Sequence, residues 1–407
     1  MKSLSVKNSI PNFTIHKISV KKNSFIFVVC GAREHIDTLH YSLEYLKKYS
    51  GNEIWVLTDS NRNEIPVVHD KIVDIRTPEE FNHHQASIYL KTGIHKFFPK
   101  GNRYCYLDTD IIALSGEVDA IFNEYQAPVT FAPDHCRMNQ FSPYAVNCGC
   151  TDLYEKYNKR IEACLIEIDP LRNSTKPSVI ENRKKMVAFY QANNSITGKI
   201  KTGLRFLFSP KRFFLVDDIY FDKKEKTWKD KTGEVFMHHF RWPQISRKNG
   251  LRWNYLNSHP LLPDGRSLWE LKCNHLAEAI ENKFKTPKPS GNFQHWNGGV
   301  FLFDDNSHTF LDKWFDSTME IFKDPYWKTR DQGTLIKTVW EMGLQNHPTL
   351  HKKWNAIADY HDPYLKWIDN KTVQLNKEDI IQPALLHVYH HFGDETWNFW
   401  NEIPEIE

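Results

Sequence analysis

The sequence predicts an α/β protein built on an open, mostly parallel sheet flanked by helices, with a large mixed α+β insertion. Three observations predict it. The chain opens strand–helix–strand: run 25–30 is continuously apolar and breaks at Gly31, Ile36, Leu39, Leu43 and Leu46 then recur at helical spacing, and 54–57 is a second apolar run. A further short run, 104–107, ends in Asp108 and Asp110 before hydrophobicity resumes at Ile111. The same alternation returns late in the chain, with a strand at 300–303 and amphipathic helices at 309–322 and 332–342.

Between these, the elements follow in order. The second strand ends at Thr58-Asp59. Pro78 begins a helix that carries Phe81, Ile88, Tyr89 and Ile94 and stops near Pro99-Lys100-Gly101, and 129–132 reads as another strand. From Asp134 to Gly291 the character changes. Charged helices at 155–168 and 181–190 precede a basic stretch, 199–212, interleaved with Ile200, Leu204, Phe206, Leu207 and Phe208. Two β-like runs, 213–221 and 235–240, are joined by 223–233, which reads as a hairpin turn rich in Lys, Asp and Gly. The expected organisation is a core of 1–133 and 292–407 carrying an insertion of 134–291.

Composition sets the bounds. The chain has 407 residues, 40% hydrophobic and 14% aromatic, enough to bury one large domain with an insertion, or two domains. A net charge of +3, from 53 basic and 50 acidic residues, does not point to nucleic acid. Seven cysteines without framework spacing read as reduced thiols in a cytoplasmic protein. The first 22 residues are polar and basic, and no run approaches the ~20 apolar residues of a membrane span. His135, Cys136, Cys148 and Cys150 invite a zinc reading, but Cys-x-Cys is tighter than the usual structural-zinc spacing, so buried thiols are expected.

Asp108 and Asp110 carry the chemistry. Two carboxylates at the end of a buried strand need pairing or a metal, because unpaired buried charge is costly. In open α/β sheets the rim at the strand C-termini is where ligands bind. The two aspartates are therefore candidate ligands for a hard divalent cation, which takes oxygen donors and shares them with substrate phosphates.

Four further segments agree with this: Trp296-Asn297-Gly298-Gly299 before a strand, Arg330-Asp331-Gln332-Gly333 leading into a helix, Trp354-Asn355, and His387-Val388-Tyr389-His390-His391-Phe392-Gly393. With Tyr106-Leu107-Asp108-Thr109-Asp110 and the preceding Ser87-x-Tyr89-x-Lys91, the chain resembles the retaining nucleotide-sugar glycosyltransferases of family 8, which include glycogenin and bacterial lipopolysaccharide galactosyltransferases. The resemblance covers roughly 25–130 and 291–400, a little over half of the chain.

The resemblance implies a GT-A fold (Rossmann-like) and metal-dependent transfer of a hexose from a nucleotide-sugar, expected to be a UDP-sugar, to a glycan or lipid-linked acceptor. It implies Mn²⁺ or Mg²⁺ held by Asp108, Asp110 and His390, with His391 as the fallback. Lys91 would sit by the diphosphate, and Gly31, Ala32 and Arg33 by the base and ribose. Asn297, Asp331 and Gln332 would bind the donor sugar, Gln332 near the anomeric carbon, with Thr109, Gly298 and Gly393 lining the donor. Retention without a carboxylate nucleophile implies a front-face displacement.

Two departures stand out. The family's lysine after the His motif is missing from Gly393-Asp394-Glu395-Thr396-Trp397, and the stretch between Asp134 and Trp296 is far longer than the family core needs. Asn147-Cys148-Gly149 competes as the Asn-Gly match, but a clean strand follows Trp296. The insertion is expected to face the acceptor; its basic segment 199–212 reads first as a solvated helix, with an anionic membrane at the inner face as the alternative that its interleaved apolar residues allow. The rival readings are a sugar nucleotidyltransferase, though Cys30-Gly31-Ala32-Arg33 is poor in glycine for a triphosphate loop, and a non-catalytic glycan- or nucleotide-binding protein on the same fold.

Overall fold

The computed structural model describes residues 21–404 apart from 137, 173–175, 210–211, 217, 239–240, 255–258, 272 and 291–294. β1 (Asn23–Val29) turns at Gly31 into α1 (Arg33–Tyr49), and β2 (Glu53–Thr58) and β3 (Ile72–Asp74) follow. α2 (His83–Thr92) leads to β4 (Arg103–Leu107), β5 (Ile111–Ala113) and β6 (Thr130–Pro133). The chain then leaves the sheet through α3 (Met138–Ala145), α4 (Gly149–Arg172), α5 (Pro177–Ala192) and α6 (Ile196–Phe208). A meander follows, β7 (Arg212–Val216), β8 (Ile219–Asp222), β9 (Thr227–Asp230) and β10 (Val235–His238), then α7 (Arg241–Lys248) and the hairpin β11 (Arg252–Asn254) and β12 (His259–Leu261). α8 (His275–Phe284) returns the chain to β13 (Trp296–Phe303), α9 (His308–Ile321) and α10 (Gln332–Glu341). Short strands close it: β14 (Ala356–Ile357), β15 (Lys366–Trp367), β16 (Val373–Gln374), β17 (Ile380–Ile381) and β18 (Leu385–His387), with α11 (Asn398–Asn401) last.

The central sheet has the order β3-β2-β1-β4-β13-β6. Its first four strands run parallel, and β13 runs antiparallel to both of its neighbours. The sheet is thus mixed. Alternate residues serve two apolar clusters: Phe25, Phe27, Cys105, Leu107, Val300 and Leu302 enter one, and Ile26, Val28, Tyr104, Tyr106, Phe301 and Phe303 the other. Because both faces are covered, the strands read as unbroken apolar runs rather than alternating ones. A third cluster draws its buried residues from Tyr154 to Leu268, within the excursion between β6 and β13.

Local chemistry corrects several boundaries. The helix expected from Pro78 starts at His83, because Asn82 and Gln85 form a reciprocal capping box. The segment 223–233 is not one turn. It contains β9, whose buried Trp228 pairs with Phe221 and makes the unit a four-stranded meander. β3 was not foreseen, being three residues long at the sheet edge with Ile72 and Asp74 exposed. The corner expected at Asn297-Gly298-Gly299 lies inside β13 as an irregularity in its pairing with β6. No described helix is long and apolar enough to cross a membrane.

Candidate metal and donor site

Asp108 follows β4 directly and Asp110 precedes β5, so the sheet delivers both carboxylates to its C-terminal rim. The turn is pinned on two sides: Asp108 N–H donates to Gly299 O at 2.9 Å, and Val388 N–H donates to Asp110 O at 2.9 Å. β18 pairs antiparallel with β5, setting His387 opposite Ile111. One oxygen from each aspartate and one ring nitrogen of His387 lie within 4.8 Å of one another. The sequence expectation named His390. The structure brings His387 there instead, with Nε2 3.4 Å from Asp110 Oδ1, while His390 lines the neighbouring cavity. His391, the fallback, pairs with Asp394 at 2.9 Å and stacks on Tyr360, away from the aspartates.

A chain of amides fixes the His387 ring. Gly299 N–H, which can only donate, reaches Asn297 Oδ1 at 2.8 Å. The Asn355 atom 3.2 Å from that same oxygen must therefore be its NH₂ group. That leaves Asn355 Oδ1 facing His387 Nδ1 at 2.9 Å, so Nδ1 carries the proton. In neutral His387 the Nε2 lone pair then points toward Asp110, whose Oδ1 is buried without a hydrogen-bond partner. Burial disfavours the His387 imidazolium, but Asp110 and then Asp108 outweigh it and hold the ring above its usual pKa, so a proton on Nε2 bridges the two in the absence of a cation. A divalent ion in place of that proton would meet a carboxylate–carboxylate–imidazole set, which suits Mn²⁺.

Lys91, on α2, stands between Asp108 at 3.1 Å and Asp331 at 3.0 Å. Tyr106, two residues before Asp108 and therefore on the same side of the strand, also donates to the Asp108 carboxylate. Burial disfavours the Lys91 charge, but Asp108 and Asp331 outweigh it and hold the lysine above its usual pKa. Burial, reinforced by Asp110, outweighs Lys91 and pushes Asp108 up. Burial would raise Asp110 as well, but His387 wins and lowers it. Three carboxylates against one ammonium leave two negative charges when His387 is neutral, the charge that a divalent cation balances.

The other expected residues fall into three groups. Asn297, Asp331 and Gln332 line a cavity of about 330 Å³ together with His387, His390, Arg330 and Tyr389. Within it, Gln332 spends its amide on the β13 backbone, accepting from Gly298 N–H at 3.1 Å and donating to Trp296 O. Gly298 and Gly299 bring bare backbone against the site: a Cβ on Gly298 would stand 3.3 Å from Asp331 Oδ2, and one on Gly299 2.7 Å from His387 Cε1 and 3.0 Å from Asp108 Oδ2. Gly31, Ala32 and Arg33 lie on the same rim after β1, outside that cavity lining. Gly31 adopts φ +104°, and Arg33 is exposed. Thr109 gives its carbonyl to Ser42 at 2.6 Å, and Gly393, with φ +76°, has open space around it.

The sequence motifs include His387, Asn355 and Tyr106 but give them no role, and Asp134, whose carboxylate accepts from Asn297 Nδ2 at 2.9 Å, stands there only as the start of the insertion. A signal for His387 was present: Leu385-Leu386-His387 repeats the pattern of an apolar strand ending in a ligand-type residue that singled out Asp108. His135 and Cys136 cluster with Asp134, whereas Cys148 and Cys150 sit with Cys273 and His275.

No family model and no curated protein matches the chain. Solved structures do. Mouse xyloside xylosyltransferase 1, in its apo form, is similar at 10% identity and a TM-score of 0.38, over 91% of this chain and 98% of that one. The apo bifunctional glycosyltransferase WbbM matches at 10% identity and a TM-score of 0.35, over 94% and 47%. The galactosyltransferase LgtC, in complex with donor and acceptor sugar analogues, matches at 10% and 0.21, over 31% and 53%. This chain spans about half the length of WbbM and of LgtC. At 10% identity and TM-scores of 0.38 and below, these likenesses assign no activity to this chain.

Proposed function

We propose that the protein is a metal-dependent glycosyltransferase of GT-A type that transfers a hexose from a nucleotide-sugar, with UDP as the expected carrier, to a saccharide acceptor with retention. The observation that carries this reading is the convergence of Asp108, Asp110 and His387 at the C-terminal rim of β4. The ordered motifs that resemble family 8 support it.

Asp108, Asp110 and His387 Nε2 would hold Mn²⁺ or Mg²⁺, which, when bound, supplies Lewis-acid stabilisation to a departing diphosphate. Lys91 keeps a fixed positive charge beside that position and orients Asp331. Asp331 meets Lys91 through Oδ2 at 3.0 Å, and the remaining lone pairs of its carboxylate can accept from a sugar hydroxyl. Arg330 lines the cavity and offers the cation that the missing lysine would have given. Gly298 lets the donor approach the backbone closely, and Gln332 holds that backbone in place.

The test is to incubate the protein with Mn²⁺ and a panel of UDP- and GDP-sugars and to measure nucleoside diphosphate release, water serving as the default acceptor. Metal-dependent release from one donor, lost in Asp108→Asn and Asp110→Asn, is the expected result. Intact donors alongside calorimetric binding of metal and nucleotide would make this a binding protein instead. Pyrophosphate formed from sugar phosphate and a nucleoside triphosphate would make it a nucleotidyltransferase.

A lipid-linked acceptor is favoured by α6. Ile196, Ile200, Leu204, Leu207 and Phe208 are each more than half exposed and share one face, while Phe206 turns inward toward Phe221. Lys199, Lys201 and Arg205 accompany that face, and the helix carries no carboxylate. An apolar face with basic flanks suits an anionic membrane surface at about 1 kcal/mol per basic residue. Reversing the charge of all three should abolish sedimentation with phosphatidylserine-containing liposomes, and unchanged sedimentation would end the membrane reading.

A further inference from the structure

We infer that Cys148, Cys150, Cys273 and His275 form a structural zinc site that fastens the two ends of the insertion to each other. The Cys148 and Cys273 sulphurs are 3.7 Å apart, His275 Nδ1 is 3.1 Å from Cys273 Sγ, and it is 3.7 Å from Cys150 Sγ. Zinc bonds to sulphur at about 2.3 Å, so a tetrahedral site has sulphur–sulphur edges of roughly 3.8 Å. The sulphur–sulphur spacing of 3.7 Å matches that edge, and all four ligand atoms lie within 4.8 Å of one another, so small side-chain shifts would complete the tetrahedron. A disulfide would need its sulphurs at about 2.05 Å, and all seven cysteines are free thiols here.

The backbone explains why four ligands meet. Cys148 and Cys150 flank the N-terminus of α4, and Cys273 and His275 flank that of α8, so each helix start supplies an i, i+2 pair. Three thiols that give up their protons to solvent on binding Zn²⁺ leave a net charge of minus one. Two helix N-termini stabilise that charge through their dipoles. The Ser142 hydroxyl lies behind the site, accepting from Leu276 N–H at 3.0 Å, and its influence favours the Cys273 thiolate. Such outer contacts orient metal ligands.

The pairs are 125 residues apart in sequence, and they sit where the excursion leaves the core and where it returns. A metal clip closing so long a loop removes freedom from the unfolded chain. It also braces the donor site: Ala145 and Leu276 pack beside Gly333, the residue after Gln332, so closely that a Cβ there would meet both within 3.3 Å. This site is separate from the Asp108 cluster and takes a softer metal, because thiolates select zinc where carboxylates select manganese.

Elemental analysis of the full chain, purified without an affinity tag and under reducing conditions, should find equimolar zinc. Cys150→Ser should lose the zinc and lower the thermal midpoint by roughly 5 °C or more, whereas Asp108→Asn should retain it. Replacing zinc by Co²⁺ in the wild-type chain should give thiolate-to-cobalt charge transfer with the intense visible bands of a tetrahedral site, a reading that needs no variant to fold. Absence of both zinc and the cobalt–thiolate spectrum would overturn the proposal. So would zinc retained in both Cys150→Ser and His275→Ala, or a Cys148–Cys273 disulfide in the freshly isolated chain.

Discussion

His387 donates its Nδ1 proton to Asn355 Oδ1 over 2.9 Å, and that bond decides which face of the imidazole is left for a ligand. Asn355 is buried and held in turn by Asn297, so the ring orientation is built in from behind. Asn355→Ala should lower Mn²⁺ affinity about 10–100-fold while the fold persists. Calorimetric titration with Mn²⁺ checks this, and an unchanged affinity would remove Asn355 from the site.

Gly299 is needed for space. An added Cβ would fall between His387 and Asp108, closer to the imidazole carbon than real contacts allow. Gly299→Ala should abolish Mn²⁺-dependent donor cleavage and leave the circular dichroism spectrum intact. Retained metal binding in this variant would show that the ligands can spread.

Lys91, its side chain 12% exposed, stands between two part-buried carboxylates, and removing it strands both. Breaking a buried ion pair from one side costs about 3–5 kcal/mol. Lys91→Met should lose stability of that order in urea denaturation without metal, and saturating Mn²⁺ should restore more stability to the variant than it adds to the wild type. Equal gains would mean that Lys91 and the metal do not share Asp108.

His361 gives a pH signature. Its ring is buried, 9% exposed, and burial, followed by His390 and His391, lowers its pKa from 6.5 to about 4. Between those values the unfolded chain takes a proton that the folded chain refuses, so stability falls as pH drops from 6.5 toward 4. His361→Gln should flatten that slope, removing about 1–2 kcal/mol of the loss between pH 7 and pH 5. Denaturant midpoints for both chains at the two pH values measure it, and parallel profiles would refute it.

Much of the core was legible because burial on both faces leaves a continuous apolar signal. The runs at β1, β2, β4 and β13 and the 3.6-residue period of α1, α9 and α10 could be read directly. β3 and β9 were not legible. Edge strands and meander strands of three or four residues have no room to show a period, and pairing with neighbours defines them. The helix start at His83 was missed because Pro78 is a strong local signal, whereas the Asn82–Gln85 capping box settles the boundary.

At the site, local sequence suffices to show that two carboxylates end a buried strand, since an apolar run followed by Asp-x-Asp leaves them nowhere but the rim. It also determined that glycines follow Asn297 and that Asp331 and Gln332 begin a helix. Which histidine joins the aspartates depends on strand pairing across the fold. His387 and His390 differ by three positions, and the pairing of β18 with β5 carries the first to Asp110. Likewise, no spacing rule links Cys148 and Cys150 to Cys273 and His275, because their approach depends on where α4 and α8 begin in space. Local sequence sets the period and ending of each element, but ligand sets drawn from distant segments are fixed by strand register and helix docking, which are properties of the packed whole.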